Sequence, residues 1–456
     1  MEQTRQGKAG RKPHKKRVKA DTYDFGLFFV VLTLVLFGVV MIFSASYYET
    51  MSSKEYGYDM FYYLKRQGMW AVVGTVGMIV AMNVPYQFWK KLSPTLYWIS
   101  NGLLAILPFV GKKIKGQTRW IEIGSLQFQP SEFTKVAVIL YLSYYVINHR
   151  KELGNLKGFA KAAGFLALPV LLIAMTNFSS ALLLLMVGVT ILFVASPRIW
   201  YFVAGIGALV PFAAVMVILP QFRYRLTRIT TWLDPWADST DAGYQTIQSL
   251  YAVASGGLFG LGLGQSRQKS FIPEAHNDII FAIICEELGL IGAGLVIILF
   301  AVVVWRGIRI AMNARDNYGM LVATGITSVV AFQSLINIGV VTNTIPNTGQ
   351  PLPFISYPAT AVHQLRRYST GILDGYDGDI AEHIKISKGY EEYRIIYKKL
   401  LTNLFVLNKM LKYKIPYSKS KEKEEYADSV PAERKIHGLR DFSGAGTQKV
   451  ALELFR

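Results

Sequence analysis

Long apolar segments constrain this chain more than any other feature of its sequence. They recur from Phe25 to about Val341, and a helix that crosses the hydrocarbon core of a bilayer needs about 20 predominantly apolar residues. On that criterion the sequence predicts an all-α polytopic membrane protein with about nine spanning helices. The predicted spans are 24–46, 69–86, 93–110, 131–147, 163–177, 179–196, 198–219, 278–305 and 319–342.

The basic residues fit the topology that such spans require. The formal net charge is +19, and residues 1–20 alone contain eight Lys and Arg. Cytoplasmic flanks of spanning helices carry an excess of these residues. The sequence therefore predicts a basic cytoplasmic tail that touches anionic lipid. A nucleic-acid arm is the weaker alternative, because Lys and Arg lie beside apolar spans along the chain, and no nucleic-acid partner is predicted.

Two absences exclude other classes of protein. Cys285 is the single cysteine and lies inside a predicted span, so the sequence predicts neither a disulfide framework nor a Cys-based metal site. The first apolar run is not followed by a small-residue cleavage site, so it is predicted to be a retained helix and not a secretory signal.

Two predicted outer loops carry cations that membrane orientation does not require. Positive charges on the outer face suit an anionic substrate, and a diphosphate is the obvious candidate. Solvated loop charge is the alternative for any individual residue. The loops are Gly111–Lys135, which reads G-K-K-I-K-G-Q-T-R-W-I-E-I-G-S-L-Q-F-Q-P-S-E-F-T-K, and 220–277, which contains Arg223, Arg225, Arg228, Arg267 and Lys269.

The end of the first loop predicts the start of a helix. Pro130 suits the first turn, where its missing N–H is not needed, and Glu132 and Lys135 share a helix face because they are three residues apart. At the entrance of a span such a pair can be held out of bulk water. The pair either lines a functional cavity or braces the helix, and the residues alone favour neither role.

The stretch Lys269–Glu287, K-S-F-I-P-E-A-H-N-D-I-I-F-A-I-I-C-E-E, places carboxylates where a span begins. A polar cluster ending at Asp278 passes directly into an apolar run that carries Glu286 and Glu287. An ionised carboxylate in a bilayer core costs roughly 2.5–3.5 kcal/mol on insertion scales, so it usually faces a partner or a water-filled cavity. Asp278 is therefore predicted to lie at the mouth of such a cavity.

Two further segments carry local patterns that predict their backbone structure: the long connection before Lys269 and the loop after the last predicted span. T-W-L-D-P-W (231–236) predicts a turn, and G-Y-Q-T-I-Q-S-L-Y-A-V (243–253) predicts an amphipathic surface helix. The glycine-dense S-G-G-L-F-G-L-G-L-G (255–264) is either a weak phosphate cradle without a P-loop lysine or close-packed, re-entrant backbone. V-T-N-T-I-P-N-T-G-Q-P-L-P-F-I-S-Y (341–357) predicts a rigid, non-helical outer loop.

Four motifs occur in an order that resembles the SEDS family (shape, elongation, division and sporulation proteins). They are R-W-I-x-I-G…F-Q-P-S-E-x-x-K (119–135), Y-Q-x-x-Q-S-L…G-G-L-x-G-x-G-L-G (244–264), P-E-A-H-N-D-I-I-F-A-I-I-C-E-E-L-G (273–289) and N-T-x-P-x-T-G-x-P-L-P-F-I-S-Y (343–357). The chain is similar to the FtsW/SpoVE-like branch of that family, with RodA as the sibling. The resemblance covers about residues 20–357.

The resemblance implies a peptidoglycan glycosyltransferase that polymerises lipid II into β-1,4 glycan strands on the outer face of the bacterial cytoplasmic membrane, during cell division or spore cortex synthesis. Asp278 matches the family's essential aspartate and would act as the general base. The implied substrate-binding residues, some of which have structural alternatives, are Arg119, Gln129, Ser131, Glu132, Lys135, Lys269, His276 and Glu286. For His276 the alternative is a helix cap, and for Glu286 it is a buried polar network.

The resemblance also implies partners but assigns no certain cofactor. The leaving undecaprenyl diphosphate would be stabilised by Arg119, Lys269 or a divalent cation (Mg²⁺ or Mn²⁺), and no metal-ligating residue is assigned. A class B penicillin-binding protein would supply the transpeptidase activity, and divisome proteins would join it.

The chain departs from the family pattern after Tyr357. The family continues S-Y-G-G-[ST] into a tenth helix, whereas here P-A-T-A-V-H-Q-L-R-R follows and no further span is predicted. The predicted organisation is a basic tail (1–20), a transmembrane glycosyltransferase domain (21–357) and a polar, disordered tail (358–456). Two alternative functions follow: a transporter or flippase of lipid-linked precursors, and a non-catalytic divisome scaffold.

Overall fold

The structure, a computed structural model, describes most of the chain up to Tyr357. The predicted tails, 1–20 and 358–456, and most of the predicted span 198–219 lie outside the described residues. The described residues are 24–52, 54–114, 117–123, 126–205, 223–239 and 243–357.

Within these ranges the chain forms ten α-helices of eleven or more residues and three short strands. The helices are α1 (Phe25–Ser52), α2 (Tyr62–Met82), α3 (Tyr86–Val110), α4 (Pro130–Asn148), α5 (Leu156–Ala174), α6 (Phe178–Ala195), α7 (Arg223–Leu233), α8 (Tyr244–Ser255), α9 (Ile280–Met312) and α10 (Asn317–Val341). Short 3-10 helices occur at Lys54–Tyr56, Glu152–Gly154, Pro235–Asp238 and Gln268–Ser270. The predicted helical class is confirmed.

The number of spans is not confirmed. Among the described residues five helices are long and apolar enough to cross a membrane, namely α1, α5, α6, α9 and α10. The helices α2 and α3 pass the same test as a pair that bends by 111°. The helix α4 is as long as α5 but less apolar. The structure therefore supports a multi-pass bundle, and the predicted nine spans stay a prediction.

The long helices run between two ends of the bundle. At one end, Arg306 of α9 forms an ion pair with Asp24, just before α1. At the other, the Ser44 hydroxyl of α1 donates to the carboxylate of Glu287 in α9 (2.7 Å), so α1 and α9 are antiparallel. We call this second end, where α9 begins, the Asp278 end. The helix α6 also begins there, because Ser180 in its first turn bonds Gln350, which Asn337 joins to the Asp278 turn. Short connections join α4 to α5 and α5 to α6, so α4 begins at the same end.

The central helix of the bundle is α10. It has the largest buried share of the five spanning helices, 72%, whereas α5 and α9 have 28% each. It packs against α4, α6 and α9, and Gly325 of α10 lets Ile139 of α4 and Ile191 of α6 approach its backbone closely. A polar side chain on α10 is therefore enclosed by protein and not by lipid, provided that it faces these neighbours.

A small antiparallel sheet forms in the loop between α3 and α4. Its strands β1 (Lys112–Ile114), β2 (Gln117–Ile123) and β3 (Leu126–Phe128) follow the order β1-β2-β3. The purely helical prediction did not include it. Within β2 the run I-E-I (121–123) alternates apolar and charged residues as a strand does, and the sheet leads to Pro130 in the first turn of α4, where the sequence predicted a helix start.

The helix α9 is broken at Gly289, which has φ +66° and ψ −168°. The glycine-dense segment 256–264 fills the break and satisfies the backbone groups that it exposes. Before the break, the carbonyls of Glu286 and Glu287 accept from Leu261 N (2.9 Å) and Gly262 N (3.0 Å). After the break, Leu290 N donates to Gly257 O (2.9 Å) and Ile291 N to Leu258 O (3.2 Å).

This pairing decides between the two interpretations of the glycine-dense segment. Non-helical backbone at membrane depth is tolerated where the protein satisfies its polar groups, and the amides of Leu261 and Gly262 are used in this way. The close approach needs glycine, because a side chain at Gly260 would collide with the Glu287 carbonyl. The segment is close-packed against α9, and its role as a phosphate cradle is not supported.

Candidate functional site

Asp278 lies in a turn two residues before α9 begins at Ile280, and its side chain is partly exposed. The backbone of this turn is fixed from the central helix, because the side-chain amide of Asn337 on α10 donates to the Asp278 carbonyl oxygen (2.6 Å). Asp278 thus lies just before a long apolar helix, as predicted. The Asp278 carboxylate is therefore held on fixed backbone at the edge of the bundle.

The outer loop 341–357 passes directly over the Asp278 carboxylate. Gly349 has φ +62°, and a methyl group added to its Cα would lie 3.4 Å from Asp278 Oδ2. The loop is non-helical beyond its first residues, as predicted. It is pinned to the bundle by the amide of Gln350, which donates to Ser180 Oγ on α6 (3.2 Å). The backbone of Gly349 therefore forms one wall around the carboxylate.

His276 lies in an aromatic pocket and does not cap α9. The N-cap position is Ile279, which makes no side-chain capping bond. The imidazole packs against the rings of Tyr63 (4.2 Å between centroids) and Tyr357 (5.6 Å), and its Nδ1 lies 3.5 Å from Glu49 Oε2. The predicted cap is wrong, and the enclosed ring supports the Asp278 turn from the side of α1 and α2.

Tyr357 closes this pocket and ties the outer loop to the Asp278 turn. Its backbone N–H donates to the His276 carbonyl oxygen (3.0 Å). Burial raises the pKa of the Tyr357 hydroxyl, and the nearby Arg66 guanidinium acts in the opposite direction. The phenol therefore stays neutral at physiological pH, and it can pack beside His276 without introducing a charge.

Glu286 accepts hydrogen bonds from the segment that precedes the Asp278 turn. Its carboxylate is fully buried and accepts from Arg267 N (3.1 Å), Gln268 N (3.3 Å) and the Ser266 hydroxyl. These amides belong to the start of the short helix Gln268–Ser270, where a carboxylate is favourable. The structure thus gives Glu286 the buried-network role, which differs from the predicted contact with substrate.

Lys269 is paired inside the protein with the neighbouring carboxylate, Glu287. Its ammonium lies 3.4 Å from Glu287 Oε1, donates to the Gly264 carbonyl (2.6 Å) and stacks over the Tyr47 ring (4.4 Å). The Lys269 side chain is only 3% exposed. This placement also differs from the predicted substrate contact, because binding a diphosphate would require the ammonium to leave these partners.

The first two turns of α4 carry a buried ion pair. Lys135 Nζ lies 2.8 Å from Glu132 Oε1, and both side chains are more than nine-tenths buried. Beside them the Ser131 hydroxyl is buried with no described residue within hydrogen-bonding distance. Gln129 is the N-cap residue and is partly exposed, and Arg119 on β2 is also partly buried. The predicted helix face is confirmed.

The structure brings these predicted residues to one end of the bundle. The helices α4 and α6 are packed neighbours that both begin at the Asp278 end, and Ser180 in the first turn of α6 bonds the residue that follows Gly349. Glu132 and Lys135 therefore lie on the same end as Asp278. Lys269 and Glu286 also lie there, but they are enclosed beneath the Asp278 turn.

Two features of the site have no counterpart in the sequence prediction. The first is the amide pair on α10, in which Gln333 donates to the Pro351 carbonyl (3.0 Å) and Asn337 donates to Asp278 and to Gln350. The sequence offered one indication of this pair, because two amide side chains four residues apart in an apolar span share a helix face and need polar partners.

The second feature is a clasp between α7 and the outer loop. The indole N–H of Trp232 donates to the Asn343 carbonyl (3.0 Å), and the Arg228 guanidinium donates to the Asn347 carbonyl (3.2 Å). Arg228 is exposed. The clasp brings a cation to the loop that covers Asp278, and no local pattern in the sequence indicated this pairing.

The protein side chains do not by themselves form a metal centre in the described ranges. No three His, Cys, Asp or Glu side chains cluster closely enough there to hold a metal ion. A cation at Asp278 would need oxygen ligands other than a cluster of these side chains, such as water or backbone carbonyls.

Comparisons with known proteins agree with this architecture. The sequence profile of the family described as "Cell cycle protein", which groups FtsW, RodA and SpoVE, matches residues 25–373. That is well over half of the chain. The chain belongs to this family. The family match ends at residue 373, whereas the motif resemblance was predicted to stop at Tyr357.

Relatives within the family are similar over most of their length. Stage V sporulation protein E of Bacillus subtilis (strain 168) is 42% identical over 362 residues, covering 78% of this chain and 97% of that protein. The "Probable peptidoglycan glycosyltransferase FtsW" of Trichlorobacter lovleyi is 39% identical over 370 residues, covering 79% and 94%. The predicted FtsW/SpoVE-like resemblance is confirmed.

Solved structures of the family share the fold. A chain from the structure titled "Structural coordination of polymerization and crosslinking by a peptidoglycan synthase complex" superimposes with a TM-score of 0.65 at 25% identity, covering 77% of this chain and 97% of that one. Thermus thermophilus rod shape determining protein RodA gives a TM-score of 0.55 at 23% identity and covers 77% and 96%. This chain is accordingly a multi-pass membrane protein.

Proposed function

We propose that this chain is a peptidoglycan glycosyltransferase that polymerises lipid II into β-1,4 glycan strands in division or sporulation. The observation that carries the proposal is the partly exposed Asp278 carboxylate, fixed by α10 and covered by the Gly349 backbone, in a chain of the FtsW/RodA/SpoVE family. Relatives with this family's sequence are named as probable peptidoglycan glycosyltransferases.

Asp278 acts as the general base in this mechanism. Its carboxylate removes the proton from the 4-hydroxyl of the acceptor GlcNAc while that oxygen attacks the anomeric carbon of the donor MurNAc. The bond from that carbon to the diphosphate oxygen breaks, and undecaprenyl diphosphate leaves with the bonding electrons. Attack opposite the leaving group converts the α-linked donor into a β-linked product. A positioned base contributes typically 10²–10⁴-fold.

The leaving diphosphate needs cations that it can reach. Arg119 on the sheet and Lys135 in the second turn of α4 lie on the loop and helix start at the Asp278 end, and a guanidinium binds phosphate oxygens in bidentate fashion. Lys135 is buried and paired with Glu132 at 2.8 Å, so it binds the diphosphate only when the substrate draws the ammonium away from that carboxylate. Ser131 offers a buried hydroxyl beside them, and Gln129 a partly exposed amide. We assign these residues to substrate. Lys269, Glu286 and His276 instead hold the Asp278 turn in place.

A divalent cation is a further part of the proposal. No three His, Cys, Asp or Glu side chains cluster in the described ranges, so Mg²⁺ or Mn²⁺ at this site would be held by diphosphate oxygens, water and one or two protein oxygens. Chelation with EDTA followed by restoration with either ion tests this requirement, and full activity after chelation would remove the cation from the mechanism.

The orientation and the partners follow from the same proposal. The Asp278 end faces outside, because α1 begins at the opposite end of the bundle and the basic residues that precede it in the sequence are predicted to be cytoplasmic. A class B penicillin-binding protein crosslinks the strands that this chain makes, and divisome proteins recruit the pair. Copurification with the cognate transpeptidase from the same cell tests the first partner.

The experiment that tests the proposed function uses purified lipid II, the full chain in detergent and its cognate penicillin-binding protein. Glycan strands that a β-1,4 muramidase digests to disaccharides are expected from the wild-type chain. Strands of equal amount without this chain would contradict the proposal, because the partner would then be the polymerase.

A further inference from the structure

Asn337 lies within the apolar, central helix α10, one turn before the helix ends at Val341. Its side chain is enclosed, with only 1% of the residue exposed. Burying an amide costs free energy unless the amide makes its hydrogen bonds. The bonds that Asn337 makes therefore show which part of the structure it serves.

Both amide hydrogens of Asn337 are used, and both are donated to the site. Nδ2 donates to the Asp278 carbonyl (2.6 Å) and to the Gln350 carbonyl (2.8 Å). Because both acceptors are carbonyl oxygens, only the NH₂ group can face them, which fixes the orientation of the amide. Its oxygen is buried without a hydrogen-bond partner in the described part of the chain, so the donor side carries its function.

The two bonds join the two backbone segments that define the position of the carboxylate. One segment is the turn of Asp278 itself, and the other is the loop residue that follows Gly349, whose backbone lies against Asp278 Oδ2. We propose that Asn337 is a positioning residue for glycosyl transfer, which sets the distance between the Asp278 turn and the loop above it. This inference rests on the proposed function of Asp278.

The chain contains a matched control for this role. Gln333 lies one turn earlier on the same face of α10, is fully buried, and donates to the Pro351 carbonyl (3.0 Å) of the same loop. Among the described residues, Gln333 makes no hydrogen bond to the Asp278 turn. Gln333 and Asn337 therefore both anchor the loop, but only Asn337 also holds the turn that carries Asp278.

The test compares Asn337→Leu with Gln333→Leu in the purified full chain with its partner. Leucine keeps the approximate size of each side chain and removes the donors. Because small misplacements of reacting groups cost up to about 100-fold, we expect Asn337→Leu to lower kcat at least about tenfold with KM for lipid II changed less than about twofold. Gln333→Leu should lower kcat by less than about threefold.

Two further variants keep the test decisive. Asn337→Ser replaces the leucine variant if that variant does not fold, because serine is small and polar but too short to bond both carbonyls. Asn337→Gln keeps the amide and should recover part of kcat. Thermal unfolding establishes which variants are folded. A folded Asn337→Leu or Asn337→Ser with the kcat of Gln333→Leu would overturn the inference, whereas a wild-type chain without polymerase activity would overturn the proposed function instead.

Discussion

Asp278 and Gly349 face each other at the Asp278 end of the bundle, with Asp278 Oδ2 3.4 Å from the position that a Gly349 side-chain methyl would take. Gly349 has a positive φ, at +62°, where a non-glycine residue costs about 1–2 kcal/mol. The site thus depends on a residue without a side chain in a conformation that glycine adopts readily.

Gly349→Ala should lower the rate of polymerisation at least about tenfold, because backbone relief of the strained φ moves the wall against which Asp278 lies. The measurement is kcat with saturating lipid II. Gly57→Ala is the control, since Gly57 has φ +64° with open space around it and lies outside the site. Equal rates for the two variants would show that the Gly349 contact does not matter.

The contribution of Lys269 to the stability of the fold should depend on the presence of its buried partner, Glu287. Removing one partner of a buried ion pair costs about 3–5 kcal/mol, because the other charge stays buried. We expect Lys269→Met and Glu287→Gln each to lower Tm, and the double variant to lose less than the sum of the two.

The control for this cycle is the exposed pair of Lys65 and Asp59, which lies at 2.7 Å with 67% of the lysine side chain exposed. Surface pairs contribute about 0–1 kcal/mol, so Lys65→Met should leave Tm nearly unchanged. Additive losses for Lys269 and Glu287 would contradict the buried coupling.

The break in α9 predicts a strict requirement for glycine at position 260. Gly260 has φ +80°, and a methyl group there would collide with the Glu287 carbonyl. Gly260→Ala should therefore destabilise the protein and lower its yield in folded form. Gly294→Ala in α9 meets open space and should be neutral or slightly stabilising, by up to about 1 kcal/mol. Thermal unfolding of both variants makes the comparison.

Much of this architecture follows from local sequence patterns. The helix that starts at Pro130, the helix Tyr244–Ser255 and the non-helical loop 341–357 were all predicted from the chain alone, because each depends on neighbouring residues. Asp278 was placed correctly at the start of a span for the same reason.

The features that escaped prediction depend on long-range contacts. The glycine-dense segment is ambiguous until it meets the break at Gly289, about 30 residues later in the chain. Lys269 resembles a substrate-binding cation until its partner Glu287 is seen. Asn337 carries no local signal beyond its polarity within an apolar helix, because its acceptors at Asp278 and Gln350 are distant in sequence or in an irregular loop.

Exchanging the charges of Glu132 and Lys135 distinguishes a structural role of this ion pair from a role in binding substrate. The exchanged variant, Glu132→Lys with Lys135→Glu, keeps an oppositely charged pair on the same helix face but removes the ammonium from its position. If Lys135 binds the diphosphate, the exchanged variant should be folded and at least about 100-fold less active. Recovery of wild-type activity by the exchange would assign the pair to bracing alone.

The central claim is that Asp278 removes the proton from the acceptor hydroxyl. The most direct test is the initial rate of glycan formation by Asp278→Asn at saturating lipid II, in a preparation whose Tm and binding to its penicillin-binding protein match the wild type. Asparagine keeps the shape and cannot accept the proton, so the account predicts a loss of about 10² to 10⁴-fold. A rate within about threefold of the wild type would contradict it, because a carboxylate that can be replaced by an amide is not the base.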